Sequence, residues 1–291
     1  MEALLEVVVL VSIAMVGVAL ARRLGLLAPI VLVIVGLGLS FVPGFRGIRL
    51  DPQLVLVGIL PPLLYVAAIR TSVPAFRYNL RPILLLAIGL VLFTAVAVGL
   101  VVYALVPGVP LGICIALGAV VAPPDAVAAT AVARRIGLPR RVVTILEGES
   151  LINDASALVL LRVAIAASSG AVGVLDVTRE VVVATGGGLL VGATGALVFG
   201  FLHKKIKDPL LDNSLSLLTP FVLALVSEAI HASGVVAVVV TGLALGHRLP
   251  VLMSAASRLQ MDAFWRLVRF LLEGLVFLLV GLQLRETLDR L

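Results

Sequence analysis

Apolar residues run through this chain in long blocks, parted by short polar stretches that hold most of its charge. A bilayer's hydrocarbon core is about 30 Å thick, so a helix needs about 20 mostly apolar residues to cross it. By that measure ten helices are expected, at 4–21, 28–42, 54–69, 82–106, 111–133, 142–167, 181–202, 215–230, 234–246 and 264–284. The second and ninth are short, which predicts tight loops or partial spans. The fold class is therefore an all-α polytopic membrane protein, with the lipid bilayer as its solvent.

The polar stretches carry an orientation. Loops after the odd-numbered helices hold Arg22, Arg23, Arg70, Arg77, Arg81, Arg134, Arg135, Arg140, Arg141, Lys204, Lys205, Lys207, Arg248, Arg258 and Arg266. The opposite side has only Arg46, Arg49 and Arg179, with Arg285 and Arg290 near the C-terminal end. Basic loops stay in the cytoplasm, so the N-terminus is expected outside the cell membrane. Composition agrees with the pattern: 62% of residues are hydrophobic and 13% charged, too little polar surface for a soluble domain. The net charge of +6 is scattered between apolar runs, which argues for topology and against a nucleic-acid partner. The single cysteine, Cys114, rules out an internal disulfide or a cysteine metal site, and no cofactor is expected. Glu2 and Glu6 stand where a signal peptide has its basic segment, so the first helix is expected to remain in the mature protein.

Against this background the stretch Glu147 to Ala155, EGESLINDA, is out of place. A carboxylate at mid-membrane costs about 2.5–3.5 kcal/mol on insertion scales and marks a functional site by default. At helical spacing Glu147, Ser150 and Asp154 share one face, and Glu149 with Asn153 forms the adjoining stripe. Both are expected to point into the bundle. Glu147, near the helix start, is also explained by the favourable position of negative charge there. Asp154, three turns in, is not.

The fifth expected helix contains a second anomaly, VVAPPDAVAAT. Pro123 and Pro124 remove two consecutive backbone donors, so the helix either kinks or opens around an ion site. Asp125, directly after them, favours the second. It stands about 14 residues, or about 20 Å, into its helix, and Asp154 about 12 residues, or about 18 Å, into the next. Those helices are antiparallel, so the two carboxylates reach similar depth. Other intramembrane charges are Arg162, which offsets a carboxylate or snorkels outward, the interfacial pair Glu228 and His231, and Glu273 within FLLEGLVFLLVGL, which calls for a buried partner. Gly188 and Gly192 have the spacing that lets membrane helices approach closely, within the subunit or across a dimer.

The run APPDAVAATAVARRIGLPRRVVTILEGESLINDASALVL resembles the bacterial branch of the monovalent cation/proton antiporter family, the sodium/proton exchangers. LPPLLYVAAIRTS and FLLEGLVFLLVGLQL extend the resemblance to almost the whole chain. It implies an inverted-repeat antiporter fold, a transmembrane domain over 1–291 in which 82–167 is the first half of an ion-binding core, with 1–70 and 181–285 as scaffold and dimerisation helices. It implies a homodimer and the exchange of Na+, Li+ or K+ for H+. In that scheme Asp154 binds cation and proton in turn, Asn153 and Ser150 are its ligand partners, and Asp125 lies at the unwound helix. Glu149 and Glu273 are supporting charges, the former paired with an arginine on a later helix. Val66 stands where some members carry a further carboxylate. About three further helices, including a second broken one and that arginine, are implied beyond Leu291; the expectation is a chain truncated at its C-terminus.

Exchange needs only competition at one site. Cation and proton each neutralise a desolvated Asp154, each excludes the other, and only the neutralised site crosses the low-dielectric barrier cheaply. Two alternatives are a non-transporting remnant, from the missing helices, and an intramembrane aspartyl protease. The latter's Gly-x-Gly-Asp signature precedes neither Asp125 nor Asp154.

Overall fold

A computed structural model describes residues 2–45, 53–124, 129–130, 132–133, 136–168 and 174–289. Helices α1 (Glu2–Leu24), α2 (Ala28–Leu39), α3 (Leu54–Arg70), α4 (Val73–Tyr78), α5 (Leu80–Leu105), α6 (Leu111–Val121), α7 (Arg140–Ser168), α8 (Val174–Lys205), α9 (Pro209–Ala229), α10 (Gly234–Leu252) and α11 (Ala255–Leu288) follow one another, with no strand among the described residues. Six of the described helices are long and apolar enough to cross a membrane, and four shorter apolar ones accompany them. Phe93, Leu190 and Leu197 are 65–70% exposed, as the absence of water outside a lipid-facing helix allows.

The expected runs all reappear as helices, with shifted ends. α9 begins six residues early because Asp208 caps it, accepting from the backbone N–H of Leu210 and Leu211 at 2.8 and 3.0 Å, with Pro209 in the first turn. α11 begins at Ala255, so the polar stretch before 264 is helical. α4 is an additional short helix, opened by Pro74. The helix expected over 111–133 is interrupted: α6 stops at Val121, one residue short of the proline pair, and helical backbone is present again at 129–130.

The chain divides into two compact units. One comprises Met1–Ile59 and Leu259–Leu291. Its core joins Leu10, Ala14 and Val18 of α1, Leu32 of α2, and Leu278, Leu279 and Leu282 of α11. Gly36 and Gly281 lie against the backbone of the facing helix, so α2 and α11 nearly touch there. Arg285 closes that crossing, donating from Nη1 to the Ser40 carbonyl at 3.2 Å and standing over the Phe41 ring.

The other unit is Leu60–Arg258. Here glycines again set the closest approaches. A Cβ at Gly188 would meet the Ser233 carbonyl at 2.8 Å, and one at Gly192 the Val240 Cβ at 2.7 Å, so the GxxxG face of α8 is filled by α10 of the same chain. Gly242 packs α10 on Ala68 of α3, and Gly99 and Gly118 bring α5 and α6 together. α5 contains a π-turn over Leu85–Leu90, and its buried residues Ile83, Ala87, Val91, Ala95 and Gly99 recur every fourth position.

Candidate functional site

α7 is a 29-residue helix, and Asp154 is at its midpoint. Its deepest stripe is the one formed by Glu149, Asn153 and Ala157, with Gly148 beside it. Glu147, Ser150 and Asp154 flank that stripe and are half-buried. Of the two faces expected to point inward, the Glu149/Asn153 face goes deeper, and α4 and α5 pack on α7 at Gly148 and Ser156. A Cβ at Gly148 would lie 2.5 Å from Ile83 Cδ1 and 3.1 Å from Phe76 Cδ2, so only glycine admits those side chains. At the basic end Arg141 donates from Nε to Asn79 Oδ1 at 3.1 Å, while Asn79 donates to the Ala75 carbonyl.

Asn153 is fully buried, and neither its amide oxygen nor its amide nitrogen has a hydrogen-bond partner among the described residues. Leaving such a group unsatisfied costs about 1–3 kcal/mol for each donor or acceptor. Glu149 is 5% exposed, and among the described residues no cation pairs with it. Just beyond, the Ser156 hydroxyl reaches the Ala87 carbonyl in the π-turn of α5 at 2.5 Å. Such turns leave a carbonyl outside the regular ladder and recur at functional sites.

The end of α6 comes to the same level. Near its start, a Cβ on Gly112 would lie 2.7 Å from the Ala164 carbonyl of α7, so the two helices run antiparallel. Followed down both helices at equal rise, that pairing brings the last turn of α6, and the Pro123–Pro124 pair after it, level with Asp154. Pro123 is half-buried and Pro124 exposed. Asp125 lies outside the described residues.

Glu273 belongs to the first unit, where Arg269 on the same helix donates to its Oε1 at 2.6 Å. The partner expected for it is thus one turn away. Arg162, Glu228 and His231 are exposed, and Cys114 is a buried core residue. Among the described residues no three His, Cys, Asp or Glu side chains group to hold a metal.

A second polar cluster was not anticipated. His203 at the end of α8 and Asp212 at the start of α9 are both buried, with Nδ1 2.5 Å from Oδ1. Tyr65 of α3 lies beside Ser216 and Thr219 with Asp212 in range. The signal for it was present: Asp212, Ser216 and Thr219 recur at i, i+4 and i+7 within α9.

Apolar helices packed around a buried, incompletely satisfied polar stripe, with an interrupted helix beside it, define a polytopic membrane protein. The chain belongs to the sodium/hydrogen exchanger family, whose transmembrane family model, "Sodium/hydrogen exchanger, transmembrane", matches residues 9–289. Among its relatives is an uncharacterized Na(+)/H(+) exchanger of Mycobacterium tuberculosis, 39% identical over 290 residues that are 99% of this chain and 53% of that protein. Another is the sodium, potassium, lithium and rubidium/H(+) antiporter of Bacillus subtilis, 34% identical over 99% of this chain and 44% of its own length. The chain spans about half the length of the curated relatives it matches. The sodium proton antiporter MjNhaP1 of Methanocaldococcus jannaschii shares its fold, with a TM-score of 0.79 at 18% identity over 97% of this chain and 71% of that one.

Proposed function

We propose that the chain is the greater part of the transmembrane domain of a monovalent cation/proton antiporter, in which Asp154 binds cation and proton by turns. The observation that carries this reading is Asn153, next to Asp154 and buried with both amide atoms unpartnered among the described residues. An amide oxygen is a hard-cation ligand, and a cation or its residual water at this point would satisfy what the protein leaves open. Ser150 supplies a hydroxyl one turn earlier, and Asp125 a second carboxylate after the proline break. Na+ is the cation proposed, with Li+ and K+ as the competitors to test, in keeping with the names of the relatives. The N-terminus is placed outside, two such chains form a homodimer, and 82–167 moves against the helices of 1–70 and 181–285.

The test is Asp154→Asn in proteoliposomes carrying a pH-sensitive dye, with each cation in turn. Cation-driven alkalinisation or acidification is lost in the variant; its retention would remove Asp154 from the exchange. A second reading, a membrane segment that does not transport by itself, is favoured by Glu149, which is buried without a cation among the described residues. Cation-driven pH change by residues 1–291 alone would exclude it. Aspartyl proteolysis is disfavoured, since the family and the solved neighbours are antiporters.

A further inference from the structure

His203 and Asp212 lie on α8 and α9, apart from the α7 stripe, and exchange at Asp154 makes no use of them. Both are buried, 0% and 1% exposed, with Nδ1 and Oδ1 2.5 Å apart. His203 Nε2 and Asp212 Oδ2 have no partner among the described residues. Tyr65 from α3 lies beside Ser216 and Thr219 of α9, with Asp212 in electrostatic range, and the Thr219 hydroxyl donates to the Leu215 carbonyl at 2.8 Å. The charged groups at the neighbouring helix ends include Arg70 of α3, Lys204 and Lys205 of α8, Lys207 in the connection, Asp208 before α9, and His247 and Arg248 of α10, and each of these is exposed. Lys205 stands over the ring of Phe201, itself exposed.

Charge balance then decides the protonation of the pair. With one proton beyond a neutral imidazole and an ionised carboxylate, the pair has no net charge, whichever partner holds it. Without that proton a bare carboxylate is left among membrane helices, with the nearest side-chain cations facing solvent, which is the costly state of a broken buried pair. We propose that His203 and Asp212 form a second proton-binding site, separate from the transport site, which takes one proton from the aqueous phase and so latches α8 to α9 beside Tyr65.

A charge-balanced site predicts an asymmetry that a neutral structural hydrogen bond does not. His203→Gln leaves Asp212 without a counter-charge, whereas Asp212→Asn leaves two neutral groups and the double variant carries no charge at all. In the full-length protein in detergent, the apparent Tm of H203Q falls below that of D212N by more than about 4 °C, and H203Q/D212N recovers above H203Q. A loss in D212N as large as in H203Q, or a double variant no better than H203Q, overturns the site. Where H203Q does not accumulate, 15N and 13C spectra of the unmodified protein in nanodiscs at pH 7 decide. An imidazolium on a carboxylate is the state expected; a neutral ring, whether it faces a carboxylic acid or an ionised carboxylate, overturns the proposal.

Discussion

Replacing Gly148 with alanine tests how tightly the polar stripe is held against α5. The added Cβ would stand 2.5 Å from Ile83 Cδ1 and 3.1 Å from Phe76 Cδ2, where unstrained carbons keep about 3.5–4.0 Å. Ile83 is fully buried and Phe76 nearly so, so neither has open space to retreat into. Overpacking of this kind costs about 1–3 kcal/mol. Alanine in a helix returns about 1 kcal/mol relative to glycine, so the net loss is about 0–2 kcal/mol. Ile83→Val deletes the clashing methyl group at a cost of its own of about 0.5–1.5 kcal/mol. In the double variant the nearest remaining contacts are at 3.1 Å, and most of the strain is gone. The pair is therefore more stable than the sum of the single effects by about 1–2 kcal/mol. Thermal unfolding in detergent measures this, since 1 kcal/mol corresponds to about 2–4 °C in a chain of this order. Additivity within about 0.5 kcal/mol would refute the contact and with it the account of why α7 turns this face inward.

Asn153→Leu removes two unsatisfied buried polar atoms at nearly constant volume, so apparent stability rises by about 1–3 kcal/mol while cation-dependent exchange is lost. A lower Tm would mean that the amide is satisfied within the protein. Gly192→Val meets Val240 Cβ at 2.7 Å and the Ala237 carbonyl at 2.9 Å, and lowers stability by about 2–3 kcal/mol while the cross-linking pattern stays that of the unmodified protein. A changed cross-linking pattern at unchanged stability would place that face between subunits. Asp208→Ala removes the cap of α9 and costs about 1 kcal/mol, read as a Tm shift of about 2–4 °C; no shift would mean that Pro209 alone starts the helix.

The helices were legible because a membrane span is long and its apolar content high, so periodicity hardly matters. The break at Pro123 and Pro124 was legible for a covalent reason, the missing N–H. What escaped the sequence were features decided by a neighbour. The start of α9 was missed because Asp212, Asn213 and Ser214 look like a loop until the Asp208 cap starts the helix and His203 buries Asp212. Asn153 and Glu149 ranked behind Asp154 because helical spacing gives faces but not how deeply a neighbour buries each; Asn153 is fully buried and Glu149 nearly so, while Asp154 is half-buried. A buried partner was expected for Glu273, and its ion-pair partner is the half-buried Arg269 on its own helix.

The residues of α5 that recur every fourth position have a mechanical consequence. The π-turn over Leu85–Leu90 takes more than four residues per turn, which offsets the advance that a step of four makes in the α-helical parts and keeps these residues along one side of α5. Its lower part, Ile83 and Ala87, lies on α7 at Gly148 and Ser156; its upper part, Ala95 and Gly99, lies on α6 at Gly118 and Ile115. One helix thus lies against both halves of the candidate site. On the proposed exchange, a displacement of α5 reaches the end of α6 and the Asn153–Asp154 pair through these two sets of contacts.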